Sequence, residues 1–331
     1  MGVTYRFGPD DGPVLVTGAG GYVAGWVIKM LLEAGMTVHG TVRDPDNAFK
    51  VGHLRQMAEA SPGTLKLFKA DLLETGSHDE AMQGCRIVMH TASPFLDPSK
   101  ISDPQRDVID PALKGTRDVL EAANRVSGVE RVVLTSSIIA IVDPTVEPRS
   151  FTEADWNDSA AIETGAYALS KVLAEREAWK IAGAQSAWKL VVINPAFIIG
   201  EGTSASQTSA SFDYFRKFID GSYKDGVPDF SVGTVDVRDV AEAHLRGAFI
   251  PGAEGRHIIS AKTLSLDDKL RILKAELGEE RYPFPPETSR TSPSRPMLLD
   301  NSKSISALGM KYRPLEPALV DMFVQAAEYR N

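Results

Sequence analysis

Six short runs rich in β-branched and apolar residues punctuate the first two-thirds of the chain: 14–16 (VLV), 37–42 (TVHGTV), 65–68 (LKLF), 87–90 (IVMH), 131–136 (RVVLTS) and 189–194 (KLVVIN). Between them lie segments whose apolar residues recur at helical spacing, at 25–35, 53–60, 111–126 and 167–182. Strands that alternate with helices in this way imply βαβ units, a parallel sheet and right-handed crossovers, so the expected fold is a doubly wound α/β sheet. After Pro195 the rhythm breaks. Residues 201–211 are small and polar, 221–230 are turn-rich and 281–297 are rich in proline, all signals of loops. Helical patterns return at 237–249, 265–277 and 314–329. The expected organisation is a main domain over 1–195, rejoined by 236–252, with a smaller C-terminal lobe made of 196–235 and 253–331.

Composition narrows the class. The 331 residues are 43% hydrophobic and 24% charged, ordinary values for a globular protein with a large core. A single cysteine, Cys85, excludes an internal disulfide framework, and no Cys/His cluster at metal-ligand spacing is present, which points to a reducing, cytoplasmic setting and to no metal. The N-terminal residues lack an apolar core of the signal-peptide kind, and no stretch of 18 apolar residues could span a bilayer. A net charge of −8 disfavours nonspecific attraction to nucleic acid or to an anionic membrane.

Directly after the first strand comes TGAGGYVAG (17–25), four glycines in nine residues at the entrance to a helix. A glycine-rich turn lets main-chain N–H groups approach a phosphate at the positive end of a helix. The same turn also serves tight strand-to-helix packing, so its meaning depends on other residues. The second strand ends at Thr41-Val42-Arg43-Asp44-Pro45, where a dinucleotide fold reads the adenosine ribose. An acidic side chain there favours NAD, and an arginine favours the 2′-phosphate of NADP. Arg43 comes first, and Lys50 can add a second positive charge, which favours NADP; Asp44 is the competing reader. Asp71, after the third strand, is expected beside the adenine or as a helix cap.

Tyr167 and Lys171 stand four residues apart in a helical pattern, so they share one face and the ammonium can stabilise a phenolate. They follow Thr135-Ser136-Ser137, at the carboxyl end of the fifth strand, the edge where such sheets bind ligands.

Together these segments resemble the extended short-chain dehydrogenase/reductases. More narrowly, they are similar to the branch holding dihydroflavonol reductases, cinnamoyl-CoA reductases and fungal methylglyoxal or aldehyde reductases. The resemblance is carried in order by TGAGGYVAGWV, GTVRDP with Lys50, KADLL, HTASPF, RVVLTSS, YALSK, VVINPAFIIG and VDVRDVAEAH, and by the tail LLDNSKSISALGMKYRPLEPALVD. It implies a Rossmann fold with a smaller substrate lobe, NADPH as cofactor, and reduction of an aldehyde or ketone to an alcohol.

Residue by residue, the resemblance implies that Gly18, Gly21 and Ala24, with Tyr22 and Val23, form the turn under the pyrophosphate. It implies Arg43 and Lys50 at the 2′-phosphate, Asp71 and Leu72 at the adenine, and Thr91 and Ala92 at the strand-end cofactor contacts. Pro195, Ala196 and Phe197 would lie against the nicotinamide. Ser137 would hydrogen-bond the substrate oxygen, Tyr167 would donate the proton, and Lys171 would hold the nicotinamide ribose and tune Tyr167. One position departs: many members of the wider superfamily carry an asparagine in the central helix for a proton relay, and Lys114 stands there.

Phe95, Ile138, Phe212 and Tyr214 fall where this branch builds its substrate pocket, which suggests a hydrophobic small-molecule carbonyl compound; as ordinary core residues they would look the same. The alternatives are a nucleotide-sugar epimerase or dehydratase, which would need cations for a diphosphate among Arg216, Lys217 and Lys224, and a non-catalytic NADP sensor, which would not need the Tyr-Lys pair. Oligomeric state is open.

Overall fold

The computed structural model describes residues 5–93, 101–147, 149–205, 207, 209–287 and 298–328. Phe95 lies outside them. The chain begins β1 (Val14–Thr17), α1 (Tyr22–Glu33), β2 (Thr37–Val42), α2 (Ala48–Glu59), β3 (Thr64–Lys69), α3 (Asp79–Met82) and β4 (Ile87–His90). Then come α4 (Asp110–Arg125), β5 (Arg131–Thr135), β6 (Ser150–Phe151), α5 (Ile162–Gly183) and β7 (Lys189–Pro195). The remainder holds β8 (Phe197–Ile199), α6 (Ala210–Arg216), β9 (Ser231–Asp236), α7 (Val237–Phe249), β10 (Gly255–Ile259), β11 (Lys262–Ser265) and α8 (Leu266–Leu277). It ends with β12 (Leu298–Leu299), α9 (Ser302–Ala307) and α10 (Leu315–Glu328).

Seven strands form one sheet in the order β10-β7-β5-β4-β1-β2-β3, and every neighbouring pair is parallel. This is the doubly wound Rossmann sheet. The order reverses between β1 and β4, and the crevice outside the carboxyl ends at that point is where such sheets bind ligands. Because side chains alternate across a strand, Val14 and Val16 of β1 join the cluster under α1 and α7, with Val27, Ile28, Leu31 and Val240. Leu15 faces the opposite cluster, with Val88, Val119, Leu120 and Ala178 beneath α4 and α5. Both faces are dry, so β1 reads as an unbroken apolar run, and each fully buried aliphatic side chain contributes about 1.5–3 kcal/mol.

A third apolar cluster lies outside this sheet. Phe212, Phe215, Phe218, Leu266, Leu270, Leu319 and Phe323 pack together beside a three-stranded sheet in which β8 pairs with β9 in parallel and β9 with β11 antiparallel. One boundary differs from expectation. Residues 255–259, expected in the small lobe, form β10 and pair with β7 at the edge of the main sheet, Ile258 opposite Asn194. The segment buries Arg256 and His257 among its five residues, so it lacks the aliphatic run that marks the other strands. Among the described residues, no helix is long and apolar enough to cross a membrane.

Candidate active site

The glycine-rich turn closes through backbone bonds from Gly21 N to Gly18 O (2.8 Å) and from Ala19 N to Thr41 O (2.9 Å). Gly18 has φ +66°, and a Cβ there would stand 3.0 Å from both Cα and Cβ of Ala92. Backbone conformation and close approach both demand glycine. The turn delivers the chain into α1 with Gly21 as N-cap and no side-chain cap, so the first N–H groups of the helix face the crevice end of the sheet. Here Tyr22 and Val23 offer main-chain N–H groups. The Tyr22 side chain turns away: its hydroxyl donates to Gly200 O, its ring meets Phe212 edge-on, and burial pushes its phenol well above the ordinary range.

The ends of β1 and β4 are braced against each other. Thr91 Oγ1 donates to Thr17 O (2.6 Å), Ala92 N donates to Thr17 Oγ1 (3.1 Å), and Thr17 Oγ1 bonds His90 Nδ1 (2.8 Å). Burial drives His90 down to about 3, so its ring is neutral and the brace holds across the working pH range.

At the end of β2, Arg43, Asp44 and Lys50 are all exposed. Asp44 accepts from Asp46 N (3.0 Å) in a local turn, and the backbone N of Lys50 is capped by Asn47 (3.2 Å). No described residue pairs with the Arg43 guanidinium or the Lys50 ammonium. Both cations remain available to an anion, whereas Asp44 already has a local partner. Asp71 Oδ1 accepts from Leu73 N (2.9 Å) within a turn and caps no helix, because α3 begins only at Asp79 with His78 as its N-cap, and Leu72 packs against Gly115.

Tyr167 stands at the start of the straight part of α5. Two residues earlier Gly165 leaves the helix with φ +148°, a conformation open mainly to glycine. Lys171 Nζ lies 5.7 Å from the centroid of the Tyr167 ring and donates to Ser93 Oγ (3.0 Å). The tyrosine is 46% exposed while the lysine is buried, so the phenol meets the crevice and the ammonium supports it from below. Ser137, just past β5, accepts from Ile139 N at its Oγ (3.2 Å), which leaves its hydroxyl proton to donate elsewhere. Pro195 closes β7 opposite Ile259, and Phe197 opens β8 with its ring against Tyr214 (5.2 Å between centroids).

Two of the pocket expectations change. Phe212 is 1% exposed and belongs to the third cluster, and Ile138 is buried in the core under β5 and β7; both are packing residues here. Tyr214 stays partly exposed, with a phenol pushed up by burial. Lys114 points to the surface and pairs with Asp110 (3.3 Å), away from Lys171.

Sequence reasoning missed two features. Glu175, four residues beyond Lys171 on the same face, is buried in an ion pair with Arg256 (2.6 Å), and the spacing from Tyr167 was a signal for it. Lys269 of α8 is fully buried, its ammonium has no hydrogen-bond partner among the described residues, and it lies 4.9 Å from the centroid of the Phe197 ring; burial holds it down to about 8. Nothing in the sequence around it gave a signal.

The chain has relatives among known reductases. The chain is 39% identical to a cinnamoyl-CoA reductase of Medicago truncatula over 318 residues, covering 92% of this chain and 93% of the relative. It is 35% identical to tetraketide alpha-pyrone reductase 1 of Arabidopsis thaliana, covering 96% of each. Its structure is similar to that of the yeast methylglyoxal/isovaleraldehyde reductase complexed with NADPH, with a TM-score of 0.81 and 28% identity over 96% of this chain and 98% of that one. The model of the NAD dependent epimerase/dehydratase family matches residues 14–248, and the chain belongs to that family.

Proposed function

We propose that this protein is an NADPH-dependent reductase that converts an aldehyde or ketone to the alcohol. The observation that carries the reading is the pairing of an exposed Tyr167 with a buried Lys171 on one face of α5, beneath the crevice at the carboxyl end of the sheet. The reductases named among its relatives and the NADPH held by the yeast neighbour support it.

The residues present fit a dinucleotide. Gly18 and Gly21 keep the turn free of side chains where a pyrophosphate approaches the N-terminus of α1, and the unpaired Arg43 and Lys50 suit a 2′-phosphate. Asp71, Leu72, Thr91 and Ala92 line the adenine and strand-end side, and Pro195, Ala196 and Phe197 the nicotinamide side. When bound, the reduced nicotinamide supplies the hydride equivalent.

The rest of the chemistry falls to the chain. Ser137 donates to the substrate oxygen and steadies the negative charge that develops there. Tyr167 gives its proton to that oxygen as general acid, and the Lys171 ammonium stabilises the phenolate left behind. In this reading the main sheet, including β10, carries the cofactor. The cluster around Phe197 and Tyr214 supplies an apolar wall for a hydrophobic carbonyl compound. A cytoplasmic location accords with the lone, buried Cys85, whose thiol burial raises to about 12.

A nucleotide-sugar substrate is less well supported. Arg216 is committed to Asp213 (2.7 Å), which removes one of the three cations a diphosphate could use. A purely sensing role leaves the retained Tyr167–Lys171 pair without a task. The test is NADPH oxidation followed against aromatic aldehydes, aliphatic ketones and dicarbonyls. Turnover with at least one class, faster with NADPH than with NADH, is expected; silence across the panel alongside turnover of a nucleotide sugar would replace the reading.

A further inference from the structure

Tyr167, Lys171 and Glu175 lie four residues apart along one face of α5, and their surroundings change from open to closed along it. Tyr167 is half exposed, Lys171 is buried and Glu175 is 1% exposed. A carboxylate so placed needs partners, because an uncompensated buried charge costs several kcal/mol. Glu175 has them on both oxygens. Oε1 accepts from Arg256 Nε (2.6 Å) and Trp179 Nε1 (3.2 Å); Oε2 accepts from Ser136 Oγ (2.5 Å) and Asn194 Nδ2 (2.9 Å).

Each partner reaches a segment that carries the chemistry. Asn194 Nδ2 also donates to the main-chain O of Ser137 (3.2 Å), and Ser136 N donates to Ile193 O (2.8 Å), so the ends of β5 and β7 are tied beside Ser137. Arg256 Nη1 donates to the carbonyls of Glu153 (3.1 Å) and Asp155, and Nη2 to Ala140 O (3.4 Å), which fastens the loop that follows Ser137. Its guanidinium lies 4.0 Å from the centroid of the Trp156 ring. One carboxylate on the helix of Tyr167 thus holds Ser137 through its carbonyl, its preceding residue and its following loop.

We propose that Glu175, locked by Arg256, is a positioning residue for Ser137: it fixes the distance between the hydroxyl of Ser137 on β5 and the phenol of Tyr167 on α5. The proposal rests on the role given to Ser137 above and adds a residue that does not touch substrate or cofactor. Misplacement of a reacting group by an ångström costs up to ~10²-fold in rate. Glu175→Gln keeps the volume and removes the charge, so kcat is expected to fall roughly 10-fold or more, with the Kd for NADPH unchanged. Asn194→Ala cuts the Nδ2 links to the Ser137 carbonyl and to Glu175 Oε2 and leaves the Glu175–Arg256 ion pair intact, so it serves if Glu175→Gln folds poorly.

The deciding measurement is a double-mutant cycle on kcat for enzyme whose folded fraction is counted by NADPH binding. If Glu175 acts through Ser137, the Glu175→Gln or Asn194→Ala change adds almost nothing in a Ser137→Ala background, because residues that act as a unit are not additive. Multiplying effects, or a single variant with lowered thermal stability but unchanged kcat per folded molecule, overturn the positioning role. A Ser137→Ala enzyme with undiminished kcat overturns the role of Ser137 itself and, with it, this inference.

Discussion

The half of the molecule built on the main sheet and the half built around Phe212, Phe215 and Phe323 obey different rules. In the first, helices alternate with the sheet strands from β1 to β7, both faces of β1 are dry, and the polar groups at the strand ends are braced by bonds such as Thr91 to Thr17 and Asn194 to Ser137. The second is assembled from pieces far apart in the chain, 197–235, 262–277 and 315–328, and holds an aromatic core with a buried ammonium, Lys269, that has no hydrogen-bond partner among the described residues. Chemistry that every substrate needs sits where geometry is over-determined. In the proposed reading, choice of substrate falls to the half where packing decides.

The contrast can be broken most sharply at Tyr167. Replacing it with Phe conserves the ring, so thermal stability and NADPH affinity are expected to hold while kcat drops at least ~10²-fold, the usual size of a lost general acid. Stopped-flow or steady-state turnover beside NADPH fluorescence titration checks it; near-normal turnover would move the acid elsewhere.

Next in size is Arg43→Ala. A charge-assisted contact to a phosphate contributes roughly 1.5–3 kcal/mol, so NADPH is expected to bind about tenfold to a hundredfold more weakly while NADH is scarcely affected. The wild-type preference should shrink at high salt, since Arg43 and Lys50 are exposed and screened. Dissociation constants for both dinucleotides at two ionic strengths settle it, and tighter NADH binding by the wild type would make Asp44 the reader.

The other half answers to stability. Lys269 has a folded-state pKa of about 8 against 10.5 in the open chain, so the unfolded state binds more protons between those values and folding is penalised below them. Lys269→Met is expected to be more stable at pH 7 by on the order of 2 kcal/mol. That advantage should fade as pH rises from 8 past 10.5. Paired denaturant melts of variant and wild type at neutral and alkaline pH read it directly, and an equal or lower stability of the variant at pH 7 would mean that the ammonium is compensated.

The smallest effect returns to α5. A Cβ at Gly165 would meet nothing within 4 Å, so Gly165→Ala is strained only by its φ of +148° and should cost about 1 kcal/mol with a modest fall in kcat as Tyr167 shifts. Gly52, inside α2 with equally open surroundings, should instead gain about 0.5–1 kcal/mol on replacement by Ala. Melting both variants side by side separates backbone strain from helix propensity.

The same division governs what could be read from the chain. Strand-and-helix rhythm and the glycine turn made β1 to β5 and β7 legible because each is a local pattern, whereas the two residues of β6 are too short to show one. β10 escaped because a buried Arg256 and His257 interrupt its apolar run, and their partners, such as Glu175, are supplied from elsewhere in the fold. Tyr22 was expected at the cofactor from its place in the turn, yet its side chain is claimed by Gly200 and Phe212, nearly 200 residues on. Lys269 and the burial of Phe212 depend wholly on such distant packing, which no spacing announces.

β7 ends at Pro195 and β8 begins at Phe197, so a single residue, Ala196, lies between these strands of the main and three-stranded sheets, with its N–H still bonded to Ile259 of β10 (2.9 Å). At this seam there is no linker to cut. A graft that exchanges the half proposed to bind substrate would have to match strand direction, register and the Ile259 bond within a single residue, while also meeting the contacts of Tyr22 and Trp26 with Gly200 and Glu201. New substrate preferences in this scaffold are better sought by exchanging side chains on β8 and α6 than by swapping the half as a cassette.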